Sequence, residues 1–257
     1  MQKEPKKQNL FFLLGSGLIL LSALLLRIIP ILGNNFYFTM DQGNDAVHVR
    51  EILERHQILW QGPETGIKGL FAGPLWYYFL SLGYLLFRGH PFGGVFLMII
   101  LNVGLTGFLI WWLKKKVSLN AAFLIGISLQ FFWWFYEGSR YAFNPFPLIT
   151  LALITILMLS DFLPGRQNRF LLAAIPIGLA FHFEVAGATV LFLFYLLISS
   201  YSIIKRRLSW QILTASFLII LFFFLPHFIS EINSNFSQTQ TLIRELKEPR
   251  GVMAETR

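Results

Sequence analysis

Residues 36 to 56, FYFTMDQGNDAVHVREILERH, gather carboxylates, a histidine and an arginine in a chain that is otherwise mostly hydrocarbon. Thr39 with Gln42 three residues on has the spacing of a capping box, which predicts a helix start here. On that helix Asp41, Asp45 and His48 fall at i, i+4 and i+7, which is one face. A carboxylate in such a place can take a proton, and two carboxylates with an imidazole can orient one another or hold a cation. Asp41 opens the helix, where the N-terminal end of the dipole attracts negative charge. Ala46, Val49 and Leu53 form an adjacent apolar stripe, so the segment reads as a short amphipathic helix at a membrane surface. The plainer reading of the same pattern is a solvated polar face.

Few other residues have the chemistry to join this group. Lys68 lies in a turn-rich stretch, QGPETGIKGLFAGP. Glu137, Arg140, Tyr141 and Asn144 lie in YEGSRYAFNP. His182 and Glu184 interrupt a long apolar run, and His227 and Glu231 stand at the end of another. Acids, histidines and arginines next to apolar runs are costly to keep at membrane depth, which favours a functional reading of them as a set. No spacing among them is diagnostic of a metal site.

The elements that must position these groups are membrane helices. The 257 residues are 55% hydrophobic and 13% charged, about half the charge of a soluble domain, with a mean hydropathy of +0.61. There is no cysteine, which excludes disulfides, thiolate nucleophiles and Cys-ligated metals. Residues 10 to 32 read as a first span rather than a cleaved leader, because the apolar run is too long for one. Residues 33 to 73 then form an outer loop. The run 74 to 87 gives only about 21 Å of helix against a hydrocarbon core near 30 Å, so it reads as interfacial or re-entrant. Residues 92 to 113, 118 to 136, 145 to 163 and 209 to 229 read as single spans. Residues 170 to 204 read as a pair turning outside near His182 to Glu184.

The predicted fold class is an all-α polytopic bundle of about seven spans. A membrane module covers 1 to 229, with interfacial helices in an external loop at 33 to 91, and 230 to 257 is an external polar tail. Under the positive-inside rule, Lys3, Lys6, Lys7, Lys114 to Lys116, Arg166, Arg169 and Lys205 to Arg207 face inward with Glu4 and Asp161. That leaves about +9 inside and about −1 outside, so the net +8 is a topology signal and not a nucleic-acid footprint. The candidate groups then share the outer side.

Two segments carry a resemblance. DQGNDAVHVREIL, followed at 69 to 78 by GLFAGPLWYY, resembles the first external loop of GT-C superfamily membrane glycosyltransferases. The branch it resembles contains dolichyl-phosphate-mannose protein mannosyltransferases and bacterial aminoarabinose transferases. Their Asp-Glu pair at the start of an interfacial helix corresponds to Asp41 and Gln42, with the next acid at Asp45, so the second acid's role is left open. Their Pro-Leu-Tyr-Tyr segment corresponds to Pro74, Leu75, Trp76, Tyr77 and Tyr78.

The resemblance implies a sugar donor on a polyprenyl phosphate and a lipid, glycan or protein acceptor, in a bacterial inner membrane with the site facing outside. The transition state at the anomeric carbon would be oxocarbenium-like. A carboxylate must take the acceptor's proton and cations must hold the departing phosphate. Asp41 is then the general base. Asp45, His48, Lys68, Glu137, Arg140, His182 and Glu184 are candidates for substrate contact, with Arg140, supported by Lys68 or His182, as the phosphate clamp. A divalent metal held by Asp41, Asp45 or Glu137 is a second way to do that work. The resemblance also implies a longer chain with further spans and an external domain, so the sequence reads as a reduced relative or a fragment. A transporter or lipid scramblase would place polar groups at mid-membrane in repeated halves, and here only residues such as Asn102 and Gln130 do so, without a repeat. A non-catalytic membrane partner is the remaining alternative.

Overall fold

The computed structural model describes residues 6–162 and 166–247. Lys3, Glu4 and the end of the predicted tail, residues 248 to 257, lie outside the described residues. Among those described there are eleven α-helices and no strand: α1 Lys6–Ile28, α2 Met40–Leu53, α3 Leu75–Leu86, α4 Phe92–Leu113, α5 Leu119–Gln130, α6 Trp133–Glu137, α7 Phe146–Phe162, α8 Gln167–Ala180, α9 Val185–Ile204, α10 Trp210–Asn233 and α11 Ser237–Lys247. The protein is an all-α membrane helix bundle.

The ends of these helices follow from local chemistry. Ser118 accepts a hydrogen bond from Ala121 N–H at 3.3 Å and starts α5; Ser209 accepts one from Ile212 N–H at 3.4 Å and starts α10. Glu184 accepts from the N–H groups of Ala186 and Gly187 and starts α9. A turn is found at residues 181 to 184, between α8 and α9, where the sequence placed one.

Four helical segments are long and apolar enough to cross a bilayer: 9 to 34, α4, α9 and α10. The other segments read as spans form helices of 12, 17 and 14 residues (α5, α7 and α8), about 18 to 26 Å long. A count of seven would need all three to cross. The predicted short helix at 74 to 87 is α3, 12 residues and about 18 Å, which fits an interfacial segment. The last apolar run ends at 229, but its helix does not: α10 continues to Asn233, and α11 follows as an amphipathic helix with Leu242, Ile243 and Leu246 exposed.

The chain forms two compact units, residues 1–55 with 79–150, and residues 56–78 with 151–257, the boundaries falling inside α3 and α7. In the first, α1, α4 and α5 pack on one another around Ala23, Met98, Ile99, Ile110 and Ala122. Gly83 and Gly93 face each other so closely that a Cβ on Gly83 would sit 2.3 Å from the Gly93 carbonyl oxygen. The polar residues inside this core close on their own helices. Asn102 Nδ2 donates to Met98 O at 2.8 Å, and Gln130 Nε2 donates to Gly126 O at 2.8 Å and to Thr106 Oγ1 at 3.1 Å. The Gln130–Thr106 bond ties α5 to α4.

In the second unit α8 packs on α9 and α10. Phe170 stacks on Tyr195 with ring centroids 4.4 Å apart, and Gly178 lies against the Phe223 side chain. Asp161 lies 3.7 Å from Arg166 and 3.9 Å from Arg169, so one of the two acids among the predicted inner charges is paired with two of the cations.

Candidate functional site

The sequence-predicted residues fall into two sets, one within each unit. Asp41, Asp45, His48, Glu137 and Arg140 belong to the first; Lys68, His182 and Glu184 belong to the second.

In the first unit the capping box forms as predicted. Thr39 N–H donates to Gln42 Oε1 at 2.9 Å, and Gly43 N–H closes the first turn on Thr39 O at 3.0 Å. Gln42 does more than cap. Its Nε2 donates 3.2 Å to the Ala142 carbonyl, and Thr39 Oγ1 lies 3.3 Å from the Tyr141 hydroxyl. The start of α2 is thereby bonded to the loop that carries Arg140. A glutamate at position 42 would present acceptors to that carbonyl. The amide that departs from the usual acid pair is thus what this junction requires.

The two aspartates part company. Asp41 is exposed in the first turn, whereas Asp45 is 5% exposed and turned inward beside Tyr84. Burial, with the nearby Asp45 charge, pushes the Tyr84 phenol up to about 12, so it stays protonated and able to donate. His48 Nδ1 lies 2.9 Å from Glu51 Oε2. The apolar stripe does not simply lie on a surface. Val49 is buried, and Ala46 and Leu53 line a cavity of about 290 Å³ with Arg50, Tyr84 and Pro91, at the small end for a ligand pocket. Arg140 sits beside Glu137, Nη2 to Oε2 3.5 Å, and its Nη1 donates to the Tyr136 hydroxyl at 2.9 Å.

Among the described residues no three His, Asp or Glu side chains come together as a metal-binding set. Asp41 is exposed, Asp45 is buried beside Tyr84 and Glu137 is beside Arg140.

In the second unit the loop that carries Lys68 folds back on itself. Gly62 N–H bonds Ala72 O at 2.8 Å, Ala72 N–H bonds Pro63 O at 2.9 Å, and Lys68 is exposed at the tip. The chain's far end holds this loop in place. Gln61 Nε2 donates to Ser230 Oγ at 2.8 Å, Gln238 Nε2 donates to the same oxygen at 3.1 Å, and Phe71 N–H donates to Gln238 Oε1 at 2.9 Å. The Pro-Leu-Trp-Tyr-Tyr segment that follows is structural. Trp76 and Tyr77 are buried, Trp76 meets Phe183 edge to face at 6.1 Å, and the Tyr78 hydroxyl accepts from Leu59 N–H at 2.9 Å.

His182 is fully buried, its Nε2 2.8 Å from the Phe223 carbonyl. A carbonyl only accepts, so Nε2 carries the proton and Nδ1 is the bare nitrogen. Burial pushes the imidazole down to about 4, with His227 acting in the same direction and the Phe223 bond against it. His182 is therefore neutral at pH 7, a donor in the helix packing. Glu184 uses both carboxylate oxygens to cap α9.

Sequence reasoning passed over one buried charge of the first unit. Arg27, the lone charge of the first apolar run, is fully buried. Its signal was an ionisable residue inside a span.

Residues 72–229 match the dolichyl-phosphate-mannose-protein mannosyltransferase family. The match covers more than half of the chain, and the protein belongs to this family of membrane glycosyltransferases. It leaves α1 and the α2 loop outside the matched residues. No curated protein and no solved structure matches the chain.

Proposed function

We propose that the protein transfers a sugar from a polyprenyl-phosphate donor to a lipid, glycan or protein acceptor on the outer face of a bacterial cell membrane. Family membership across 72–229 carries this reading. In the reaction the Asp41 carboxylate takes the proton of the acceptor hydroxyl. The acceptor oxygen forms its bond to the anomeric carbon as the bond to the phosphate oxygen breaks, and that oxygen leaves with the electron pair. Attack opposite the leaving group inverts the anomeric centre. Arg140 steadies the phosphate. The exposure of Asp41 and the bonds from Thr39 and Gln42 to Tyr141 and Ala142, next to Arg140, support the assignment.

Membranes containing the protein, supplied with a radiolabelled sugar on polyprenyl phosphate, are expected to transfer label; the same sugar on a nucleotide is expected to give none. Label moved directly from the nucleotide sugar, or no transfer from the lipid donor, overturns the reading. Sidedness has its own test, made simple by the absence of cysteine. Single cysteines at the exposed positions 64 and 115 are expected to react from outside at 64 and not at 115. The opposite pattern inverts the topology.

A further inference from the structure

In the second unit, α10 presents an apolar stripe along its whole length. Leu218, Leu221, Leu225, Phe228 and Ile232 are exposed and recur every three or four residues, which is one face of the helix. α10 is long and apolar enough to cross a bilayer, so acyl chains cover this stripe. Phe236, in the turn that follows α10, is 55% exposed as well.

That turn leads straight into α11. Asn235 and Phe236 both take left-handed backbone, φ 51° and 58°, which ends α10 and redirects the chain. Glu231 of α10 fixes the new direction. Its Oε1 accepts from Gln238 N–H at 3.1 Å and its Oε2 from Thr239 N–H at 3.0 Å, two of the donors that a helix start leaves over. α11 is therefore tied to the end of a membrane helix rather than hung from it on a linker.

Successive residues of α11 turn by about 100° around its axis. Gln238 is buried against the protein, and Leu242, next round on that side, lines a cavity with Phe71, Phe224 and His227. Leu246 and Ile243 follow, 75% and 47% exposed. Gln240, Arg244 and Lys247 occupy the remaining arc and are exposed. So α11 has one flank on the protein, one exposed apolar flank and one polar flank. A helix lying at the boundary of headgroups and acyl chains has this division. A protein partner is the poorer fit. Phe236, Ile243 and Leu246 offer much less than the roughly 800 Å² that each side of a standard protein interface buries.

We propose that α11 docks on the lipid bilayer, with Phe236, Ile243 and Leu246 among the acyl chains just below the headgroups and Arg244 and Lys247 at headgroup level, and that the bilayer thereby helps to hold the loop at 61 to 73. α11 supplies Gln238, which accepts from Phe71 N–H and donates to the same Ser230 hydroxyl as Gln61. The segment that reads in sequence as a polar tail is a membrane clamp on that loop. The docking is independent of the sugar transferred and of Asp41.

The chain has no cysteine, so single reporters are simple to place. Ile243→Cys, Leu246→Cys, Gln240→Cys and Phe222→Cys are each labelled with an environment-sensitive fluorophore, in the full chain reconstituted into vesicles of phosphatidylcholine and phosphatidylglycerol. Nitroxide groups placed shallow or deep on the lipid chains, and iodide in the water, serve as quenchers. At 243 and 246 the shallow nitroxide is expected to quench several-fold more than iodide. At 240 the order reverses, and at 222, on the exposed face of α10, the deep nitroxide dominates. Iodide quenching at 243 and 246 equal to that at 240 overturns the docking. So does disulfide cross-linking of Leu246→Cys between copies without lipid quenching, which gives the flank to a second copy.

The loop has its own readout. Ile243→Glu with Leu246→Glu puts charge on the docking flank and leaves Glu231 and Gln238 in place. In vesicles, Phe71 N–H is expected to exchange its hydrogen several-fold faster in this variant than in wild type, while the amides in the middle of α4 keep their protection. Leu246→Gln gives the same readout if the charged pair does not fold. Unchanged exchange at Phe71 overturns the bilayer's hold on the loop.

Discussion

Asp41→Asn is expected to lower sugar transfer by about 10² to 10⁴, the usual loss when a general base is removed. The substitution keeps size and polarity and removes the ability to hold a proton. Asp41 is exposed at the first turn of α2, so the fold does not depend on its charge, and insertion, melting point and donor binding should stay near wild type. Asp45 is the contrasting case. It is 5% exposed beside Tyr84, so Asp45→Asn should lower stability before it lowers the rate per folded molecule. Measuring transfer rate and melting temperature for both variants separates the two roles. An Asp41→Asn protein that keeps most of its activity removes the proposed base. A dead Asp45→Asn protein with a normal melting point hands the role to the other aspartate.

Gly73→Ala is expected to produce the largest structural failure. A Cβ built on Gly73 would lie 1.9 Å from His182 Nδ1, and one on Gly62 would lie 2.0 Å from the Gly73 carbonyl oxygen. His182 cannot turn away, because it is fully buried and its other nitrogen holds the Phe223 carbonyl. Gly73 cannot move out freely either, since its N–H bonds Phe181 O at 3.1 Å. One methyl must therefore displace a helix-packing histidine or a bonded loop. Overpacking of this kind costs about 1 to 3 kcal/mol or more. Thermal melts should show Gly73→Ala well below wild type. The double variant Gly73→Ala with His182→Ala should recover part of the loss relative to the sum of the singles. A Gly73→Ala protein that melts like wild type would refute the packing.

Much of the helical framework was legible. The apolar run at 92 to 113 is α4 to the residue, the short run at 74 to 87 is α3, and the pair within 170 to 204 turns at 181 to 184. Hydrophobic length carries that information because a bilayer leaves the backbone few options. The capping box at Thr39 was legible for the same local reason. What was not legible depends on partners far along the chain. Gln42 reads as a departure from an acid pair, and its use becomes clear only with Ala142, 100 residues away. Periodicity put Asp41 and Asp45 on one face; it could not say that one end of that face is open and the next turn is packed beside Tyr84. Glu184 reads as a charge at a site, and its two oxygens turn out to be taken by the N–H groups opening α9. Arg27 was visible as a charge in a span, and its neighbours Phe135 and Tyr136 were not.

The loop at 61 to 73 is secured by Ser230 and Gln238, hydrogen bonds that span 169 and 167 residues of sequence. This has a consequence for biogenesis. Chains grow at roughly 5 to 20 residues per second, so the loop waits on the order of 10 to 30 seconds for its anchors to be made. Through that interval Lys68, Gly73 and the aromatic segment behind them stand at the membrane without the contacts that will later fix them. The unit of 56–78 with 151–257 can close only after α10 and α11 have emerged. A nascent chain interrupted before Gln238 would carry a complete α2 and an unsecured loop, a species for quality control to recognise by its unburied Trp76.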